Sequence, residues 1–406
     1  MPRVWDVPVR DWTRVHDARV AAEGAAALAG LDERRTAAAA LVATELATNL
    51  LKHAEGGRLL AEVVPAPAPP QERGQSRVVQ LAAIDHGPGI GDVPSALRDG
   101  FSTTGSLGAG LGTCRRLADG FALHSTPGRG TVAVARMGVT PHGGDAVPGA
   151  WGGAPEPGTS PLLPGEGPGE GRAPGSVSGP GGERLTHDPA ERHGGRGERF
   201  VPFAGVRAGG LNIPYGGAEQ SGDAWAWARA GDAVTLMLAD GLGHGPEAAR
   251  ASSAAVTALH LCAHLSPADA LRRLHDALKG TRGAAVSLAR LDLGTGRLRF
   301  AGIGNVGARL RTGGTWRHLL ARPGIVGVHR PTTLREEEAD WTGDPLLVLH
   351  TDGLPSRWAP PPGAGLPAAD PAVTAAVTIR DASSPARPVR DDTAVAVLTP
   401  TPPELP

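Results

Sequence analysis

Apolar and polar positions recur with helical spacing in the first part of the chain. One helix is predicted over about residues 12–29, and a second runs on to about Ala54 after Asp32, which is placed to cap it. A further short helix ends near Leu117. Four strands are predicted in the same region, at 58–64, 77–84, about 121–126 and about 130–136. The residues between the first two strands form a hairpin loop of unusual length.

The C-terminal half alternates strands with two predicted helices. The first helix runs from about Pro246 to His264, and Ser266 caps the second, which ends at Gly280. Strands are predicted at 234–240, 284–292, 297–303, 306–311, 345–351 and 393–398. Residues 359–371 are rich in Pro and Ala and are expected to form a surface loop near the site. Strand segments on both sides of a helical pair favour a layered α+β sandwich.

The periodic pattern of apolar and polar positions is absent from the segment between the two halves. From residue 141 to 200, 27 of 60 positions are Gly or Pro, and aliphatic clusters are scarce, so this segment cannot bury a core. We therefore predict two domains, residues 1–137 and 201–406, joined by a disordered Gly/Pro-rich linker over 138–200.

Composition limits the classes of protein that fit. The chain has 406 residues and a net charge of -1, so its electrostatics favour neither a general nucleic-acid binder nor a membrane-surface binder. Its two cysteines, Cys114 and Cys262, lie in no metal-binding spacing and are expected to be packed thiols in a reducing compartment. Since no apolar run reaches the ~18 residues of a membrane span, we expect a cytoplasmic protein.

Aspartates recur at strand ends in the C-terminal half. The apolar run 234–239 ends in Asp240, and glycines follow before Pro246 opens a helix. Asp223, Asp352 and Asp391 also lie at the ends of predicted strands. Strand ends of this kind can meet at one rim of a sandwich, where an oxygen-only cage suits Mg²⁺ or Mn²⁺.

On these residues, 205–399 resembles the SpoIIE-type serine phosphatases of the PPM metal-dependent superfamily, and more closely the RsbX-like members. The matching motifs are Ser221-Gly-Asp223, Ala239-Asp-Gly-Leu-Gly-His-Gly245, Gly304-Asn-Val306, His350-Thr-Asp-Gly353 and Arg390-Asp-Asp-Thr393. The resemblance implies an α-β-β-α sandwich with two metal ions. It implies that Asp240 bridges both ions, that the Gly241 carbonyl adds a ligand, and that Asp352 and Asp391 complete the shell of the first ion. Asp223 would serve the second ion or its water shell.

The second predicted helix of the N-terminal region carries Glu45 and Asn49, which stand four apart and share one face. Asn49 could offer an oxygen to a Mg²⁺ ion held mainly by phosphates and water. Glu45 could accept the proton of an incoming serine hydroxyl. Glu45 could equally be an ordinary helix residue that contacts Asn49. Asp85, at a strand end, could accept a hydrogen bond from an exocyclic amine such as that of adenine.

Glycines mark two further short motifs in this region. Gly87 and Gly89 follow Asp85, and Gly108, Gly110 and Gly112 precede a helix, where free backbone amides could approach phosphates. The segments Glu45–Asn49, Asp85–Gly89 and Gly105–Gly112 resemble the boxes of the GHKL (Bergerat) ATP-binding fold, specifically the RsbT-like anti-sigma-factor serine kinases. The resemblance covers roughly residues 5–137. It implies an α/β sandwich that binds ATP.

Together the two resemblances imply a bifunctional regulator of protein serine phosphorylation. The implied partner is a STAS-domain antagonist or a stressosome-like protein, with a sigma factor as a further candidate. An alternative is an N-terminal domain that uses ATP only to bind a partner, beside an active phosphatase. A sensor histidine kinase fits less well, because no helical hairpin with a phosphoacceptor His precedes the ATP-binding boxes.

Four residues near the acidic motifs are expected to have structural roles and no part in catalysis or metal binding. Asp392 is expected to orient its neighbour or cap a turn, and Asn305 to shape a turn. Trp225 and Trp227 are expected on one face of a strand as core residues.

Overall fold

The described residues group into a single compact unit that contains both patterned regions. In this computed structural model they are 3–54, 56–65, 77–97, 110–138, 205–361, 369–384 and 386–401. The predicted linker beyond Gly138 and most of the long hairpin loop lie outside the described residues. None of the helices in the described ranges is both long and apolar enough to cross a membrane.

The N-terminal region is a five-stranded antiparallel sheet, the N-terminal sheet, in the order β1-β2-β3-β5-β4. Its strands are β1 (Val4–Val9), β2 (Gly57–Pro65), β3 (Arg77–Ile84), β4 (Gly120–Thr126) and β5 (Gly130–Gly138). Its helices are α1 (Thr13–Ala29), α2 (Glu33–Ala54), the short α3 (Val93–Ala96) and α4 (Leu111–Leu117). The predicted strands and the α1, α2 and α4 helices are confirmed.

Strand β1 was not predicted from the sequence. It contains Pro8, which cannot donate to a ladder, and it is tolerated because β1 is an edge strand whose neighbour in the sheet is β2. One face of the sheet packs on α1 and α2, whose inward positions are mostly alanine. The other face is also buried, with apolar residues such as Leu60, Ala82 and Val134 and the polar residues Glu62, Gln80 and Arg136. The sheet is therefore covered on both sides.

The C-terminal region contains two more antiparallel five-stranded sheets. The second sheet has the order β13-β10-β9-β8-β7 and consists of β7 (Asp223–Ala230), β8 (Ala233–Gly241), β9 (Ala284–Asp292), β10 (Arg297–Ile303) and β13 (Glu337–Asp340). The third sheet has the order β12-β11-β14-β15-β6 and consists of β6 (Val206–Ile213), β11 (Gly307–Thr312), β12 (Thr315–Leu319), β14 (Leu346–His350) and β15 (Thr393–Pro400). The two sheets stack on a common core that includes Trp225 and Trp227, as predicted.

The predicted helical pair covers the outer face of the second sheet. It consists of α5 (Pro246–Cys262) and α6 (Pro267–Ala277), which pack on the second sheet through alanine and leucine side chains. Pro246 is the first residue of α5, and the Ser266 side chain caps α6 by accepting from the Asp269 amide. Both helix starts agree with the prediction.

The expectation of only two helices in this half was wrong. A third helix, α7 (Pro371–Ala382), covers the outer face of the third sheet, and every residue from Pro371 to Arg380 is buried. From Pro371 to Ile379 its sequence is apolar or threonine all round, so it shows no amphipathic stripe, which is typical of a helix buried on all sides. With α7 in place the C-terminal region is an α-β-β-α sandwich. The opposite side of α7 packs on the N-terminal sheet.

Candidate functional sites

Two aspartates lie side by side where the second sheet ends. Asp223 is the first residue of β7 and Asp240 the penultimate residue of β8, and the two stand opposite each other in the strand register. Asp352 follows β14, and Asp391 precedes β15, the neighbouring strand of the third sheet. The Thr351 hydroxyl donates to Oδ2 of Asp223 over 2.8 Å and so ties the two sheets together at this end.

The electrostatics show that the carboxylates influence one another. Burial, together with repulsion from Asp352, Asp391 and Asp392, raises the pKa of Asp240 to about 7. Burial and the charge of Asp240 also raise the pKa of Asp223 well above its usual value, although the Thr351 hydrogen bond opposes this. Because like charges disfavour each other's ionised form, a divalent cation among these oxygens would relieve the repulsion.

The donor set fits Mg²⁺ or Mn²⁺ by its chemistry, since carboxylate and carbonyl oxygens are the ligands these ions take. Asp352 and Asp391 are exposed, so an ion in solution can reach them. Across the described ranges, however, no three His, Cys, Asp or Glu side chains form a compact group ready to hold a metal ion. The assignment of Asp223, Asp240, Gly241, Asp352 and Asp391 as ligands therefore stays a prediction.

Two further polar residues support this site from outside the predicted ligand set. Asp392 is buried, and its carboxylate accepts from the backbone amides of Tyr215 and Gly222, each over 2.7 Å. It therefore fixes the turn before Asp223, whereas the prediction was that it orients its neighbour or caps a turn. Asn305 does more than shape a turn, because its side-chain amide donates to Oδ2 of Asp352 over 2.6 Å. The sequence already placed Asn305 in the loop between two predicted strands, and this position was the signal that could have indicated its role at the site.

Gly241 has a steric reason to be glycine. A Cβ there would lie 2.1 Å from the carbonyl oxygen of Ala248 in α5, closer than any real contact. The end of β8 thus runs directly against α5, and only glycine permits this approach. His244, three residues on, is exposed.

The second candidate site lies on α2, which contacts both α4 and β3. Burial raises the pKa of Glu45, and the charge of Lys52 opposes the shift. The side-chain nitrogen of Asn49 is buried and has no hydrogen-bond partner among the described residues. An amide left without a partner is costly, so this group fits a ligand that would complete its hydrogen bonds.

Asp85 is held firmly at the end of β3. Its side chain is only slightly exposed, and Oδ1 accepts from the amides of Gly87, over 2.8 Å, and Thr131, over 3.0 Å. Burial raises the pKa of Asp85, and these two hydrogen bonds oppose the shift. Gly89 has a φ of 75°, and a Cβ there would lie 2.4 Å from the Thr126 carbonyl oxygen. The box therefore needs glycine for space and for backbone conformation.

The glycine-rich segment before α4 is described only in part. Gly110 immediately precedes α4, and Gly112 is buried within its first turn. Gly108 lies outside the described residues, so its predicted role toward phosphate stays a prediction. The structure does bring α2, which carries Glu45 and Asn49, into contact with α4. Both glycine boxes and the Glu45–Asn49 pair thus belong to adjoining elements.

Two family models match separate parts of the chain. Residues 10–136 match the histidine kinase-like ATPase domain, and residues 230–399 match Stage II sporulation protein E (SpoIIE). Each half of the chain therefore carries the domain that its motifs predicted.

Individual proteins are similar to one half or the other. Serine/threonine-protein kinase RsbT from Bacillus subtilis (strain 168) is 42% identical over 88 residues, which are 22% of this chain and 61% of that protein. The chain thus spans less than two thirds of this curated relative. A solved structure from work on the bacterial stressosome is 28% identical, with a TM-score of 0.42, and covers 48% of this chain and 99% of that one. The PP2C phosphatase domain of SpoIIE from Bacillus subtilis is 18% identical, with a TM-score of 0.43, over 50% of this chain and 65% of that one.

Proposed function

We propose that this chain, in which a histidine kinase-like ATPase domain precedes a SpoIIE-type domain of the PPM phosphatase superfamily, both removes phosphate from and adds phosphate to protein serine or threonine side chains. The observation that best supports the proposed phosphatase activity is the position of Asp240. It lies beside Asp223 at the end of the second sheet, and nearby carboxylates help to raise its pKa to about 7.

In the phosphatase half, Asp240, the Gly241 carbonyl, Asp352 and Asp391 would hold divalent ions, with Asp223 serving the second ion or its water shell. Bound Mg²⁺ or Mn²⁺ would supply an activated water and orient the phosphate. The protein's own contribution is to fix the ligands. Thr351 holds Asp223, and Asn305 holds Asp352. Gly241 has no side chain that would collide with α5, so the end of β8 can keep the position from which its carbonyl would reach an ion.

In the kinase half, Asp85 would accept a hydrogen bond from the adenine amine of ATP, and Asn49 would contribute to the Mg²⁺ shell. Glu45 would accept the proton of the attacking serine hydroxyl. Its raised pKa moves it toward the range in which a carboxylate works as a base at neutral pH. The similarity to the serine/threonine kinase RsbT supports this proposal. By the resemblance of its motifs, the protein partner would be a STAS-domain antagonist or a stressosome-like protein, with a sigma factor as a further candidate.

The alternative is an ATPase domain that binds a partner without transferring phosphate. The substitution Glu45→Ala separates the two possibilities. A kinase loses about a hundredfold or more of its phosphotransfer rate and keeps partner affinity. A pure binding module shows no phosphotransfer in the wild type, and its partner affinity is unchanged.

The phosphatase is tested by hydrolysis of p-nitrophenyl phosphate and of a phosphorylated STAS protein, with Mn²⁺, Mg²⁺ or EDTA. We expect ion-dependent hydrolysis that Asp240→Asn lowers by roughly a hundredfold or more. Asp232→Asn is a matched control, because Asp232 lies exposed in the turn at the opposite end of the same strand pair. Equal rates with EDTA, or equal loss in both variants, would contradict the proposal. ATP added to the Asp240→Asn protein then tests the kinase without back-reaction.

A further inference from the structure

Helix α7 of the phosphatase half is bonded to the N-terminal sheet at both ends. At its start, Asp370 accepts two hydrogen bonds from the guanidinium of Arg136 in β5, over 2.6 and 2.7 Å. At its end, Arg380 is 2% exposed, and its Nη1 donates to the Gly130 carbonyl over 3.0 Å. A buried cation without hydrogen bonds would be very costly, so these contacts define the position of the helix.

Arg380 makes a second contact with the N-terminal domain through its backbone. The carbonyl oxygen of Arg380 lies 3.0 Å from Nε2 of His86. The Arg380 side chain is itself braced, because its Nε donates to Asp381 over 2.9 Å. One residue of the phosphatase half thus contacts two separate segments of the ATPase domain.

Those two segments meet at Asp85. His86 directly follows Asp85, and Gly130 directly precedes Thr131, whose amide donates to Oδ1 of Asp85. Gly130 lies so close that a Cβ there would stand 2.1 Å from the Asp85 carbonyl oxygen. The charge of Arg380 also lowers the pKa of Asp85, against the larger effect of burial. Arg380 therefore contacts both segments that adjoin the carboxylate assigned to adenine, and its charge favours the ionised form of that carboxylate.

We propose that Arg380 is a positioning residue for the nucleotide site: it holds the Asp85–His86 and Gly130–Thr131 segments together, so that nucleotide binding and the packing of α7 are thermodynamically linked. The inference rests on the proposed binding of ATP at Asp85. It assigns part of that site to the phosphatase half of the chain. Linkage is reciprocal, so a nucleotide that prefers the braced arrangement must also stabilise α7.

Stabilisation of α7 by nucleotide would also affect the phosphatase half, because α7 packs on β6 and β15 of the third sheet. Asp391 lies two residues before β15 begins. Stabilisation of α7 by nucleotide would therefore act on an element next to the strand that leads from the predicted metal site. This gives the ATPase half a physical route to the phosphatase half within one chain.

The test uses the full chain and its substitutions Arg380→Gln and Arg380→Lys, with Arg387→Gln as a matched control in an exposed position. The affinity for a fluorescent ATP analogue is measured first. We expect Arg380→Gln to weaken binding by about tenfold, Arg380→Lys to recover part of this loss, and Arg387→Gln to bind like the wild type. Unchanged affinity in Arg380→Gln would overturn the inference.

Hydrogen exchange in the wild type gives a readout that needs no substitution. Addition of ATP is expected to slow exchange in peptides covering 371–384, and Arg380→Gln is expected to abolish this effect. Slowing confined to residues 3–138 would overturn the linkage, even if Arg380→Gln does not fold. Failure of the wild type to bind ATP would instead overturn the proposed ATPase function, and with it this inference. Binding by the wild type without a difference in Arg380→Gln leaves that function intact.

Discussion

Arg136 and Asp370 form a two-pronged ion pair between the N-terminal sheet and the start of α7, with N–O distances of 2.6 and 2.7 Å. Arg136 also donates from Nε to Gln80, over 2.9 Å, and Gln80 donates to the Gly210 carbonyl of the third sheet over the same distance. Burial would raise the pKa of Asp370, but the charge and hydrogen bonds of Arg136, with smaller contributions from the Ala372 amide and the Arg207 charge, together lower it. The two halves are thus joined through buried polar groups as well as apolar ones.

Removal of one charge from this pair should destabilise the protein. Asp370→Asn keeps a side-chain oxygen to cap α7 but leaves the Arg136 charge buried without its counterion. We expect a loss of about 3 kcal/mol in the free energy of unfolding, measured by urea denaturation. Asp340→Asn is the control, since Asp340 forms an exposed pair with Arg297 and its loss should leave the midpoint unchanged. Equal effects in both variants would argue against an energetic role for the buried pair.

The stability of the protein should fall with rising pH because of Glu62. Burial raises the pKa of Glu62 to about 8, although the Gln80 hydrogen bond and the Arg136 charge oppose the shift. The folded state therefore holds a proton that the unfolded chain releases near its ordinary pKa of 4.5. This contribution is fully present below that value and is lost as the pH rises through about 8.

Glu62→Gln isolates this effect, because it keeps the shape and cannot ionise. The difference in unfolding free energy between Glu62→Gln and the wild type should grow in favour of the variant from pH 5 to pH 8, as measured by denaturant titration at each pH. Glu23→Gln, at an exposed position on α1, is the control and should follow the wild type. A constant difference across this pH range would mean that Glu62 is ionised in the folded state.

Gly241→Ala should damage both the fold and the phosphatase site. The new Cβ would meet the Ala248 carbonyl oxygen at 2.1 Å, so β8 or α5 must move. We expect a destabilisation of about 1–3 kcal/mol or more, together with loss of phosphatase activity. Gly294→Ala, where the nearest atom would be an ordinary 3.5 Å away, should be tolerated in both assays. A stable and active Gly241→Ala protein would show that the loop adapts freely.

Asp391 and Asp392 should respond differently although they are adjacent. Asp391 is exposed and is proposed to bind metal, so Asp391→Asn should lower ion-dependent hydrolysis by more than about tenfold and leave the metal-free protein as stable as before. Asp392 accepts two backbone hydrogen bonds and is buried, so Asp392→Ala should cost about 2 kcal/mol of stability. Hydrolysis as a function of Mn²⁺ concentration, with urea denaturation in EDTA, separates the two effects. A loss of stability in Asp391→Asn with a loss of activity in Asp392→Ala would mean that Asp392 binds the metal and Asp391 supports the fold.

The sequence alone determined those parts of the protein whose signal is local. Helices α1, α2, α5 and α6 each combine helical spacing with recognisable boundary residues, and most strands read as continuous apolar runs. The glycine boxes are also visible locally, because Asp85–Gly89 and Gly105–Gly112 each carry closely spaced glycines. Signals of this kind depend only on residues that are close in the sequence, so they can be recognised without knowledge of the fold.

The tertiary structure decided what depends on distant partners. Helix α7 was missed because a segment that is apolar on all sides has no preferred face until two sheets enclose it. Edge strand β1, with Pro8, was missed because its ladder partner β2 lies some fifty residues away. The hydrogen bond from Thr351 to Asp223 joins residues 128 apart, and that from Arg380 to Gly130 joins residues 250 apart. No local pattern encodes such contacts, because they exist only once the sheets have packed against each other.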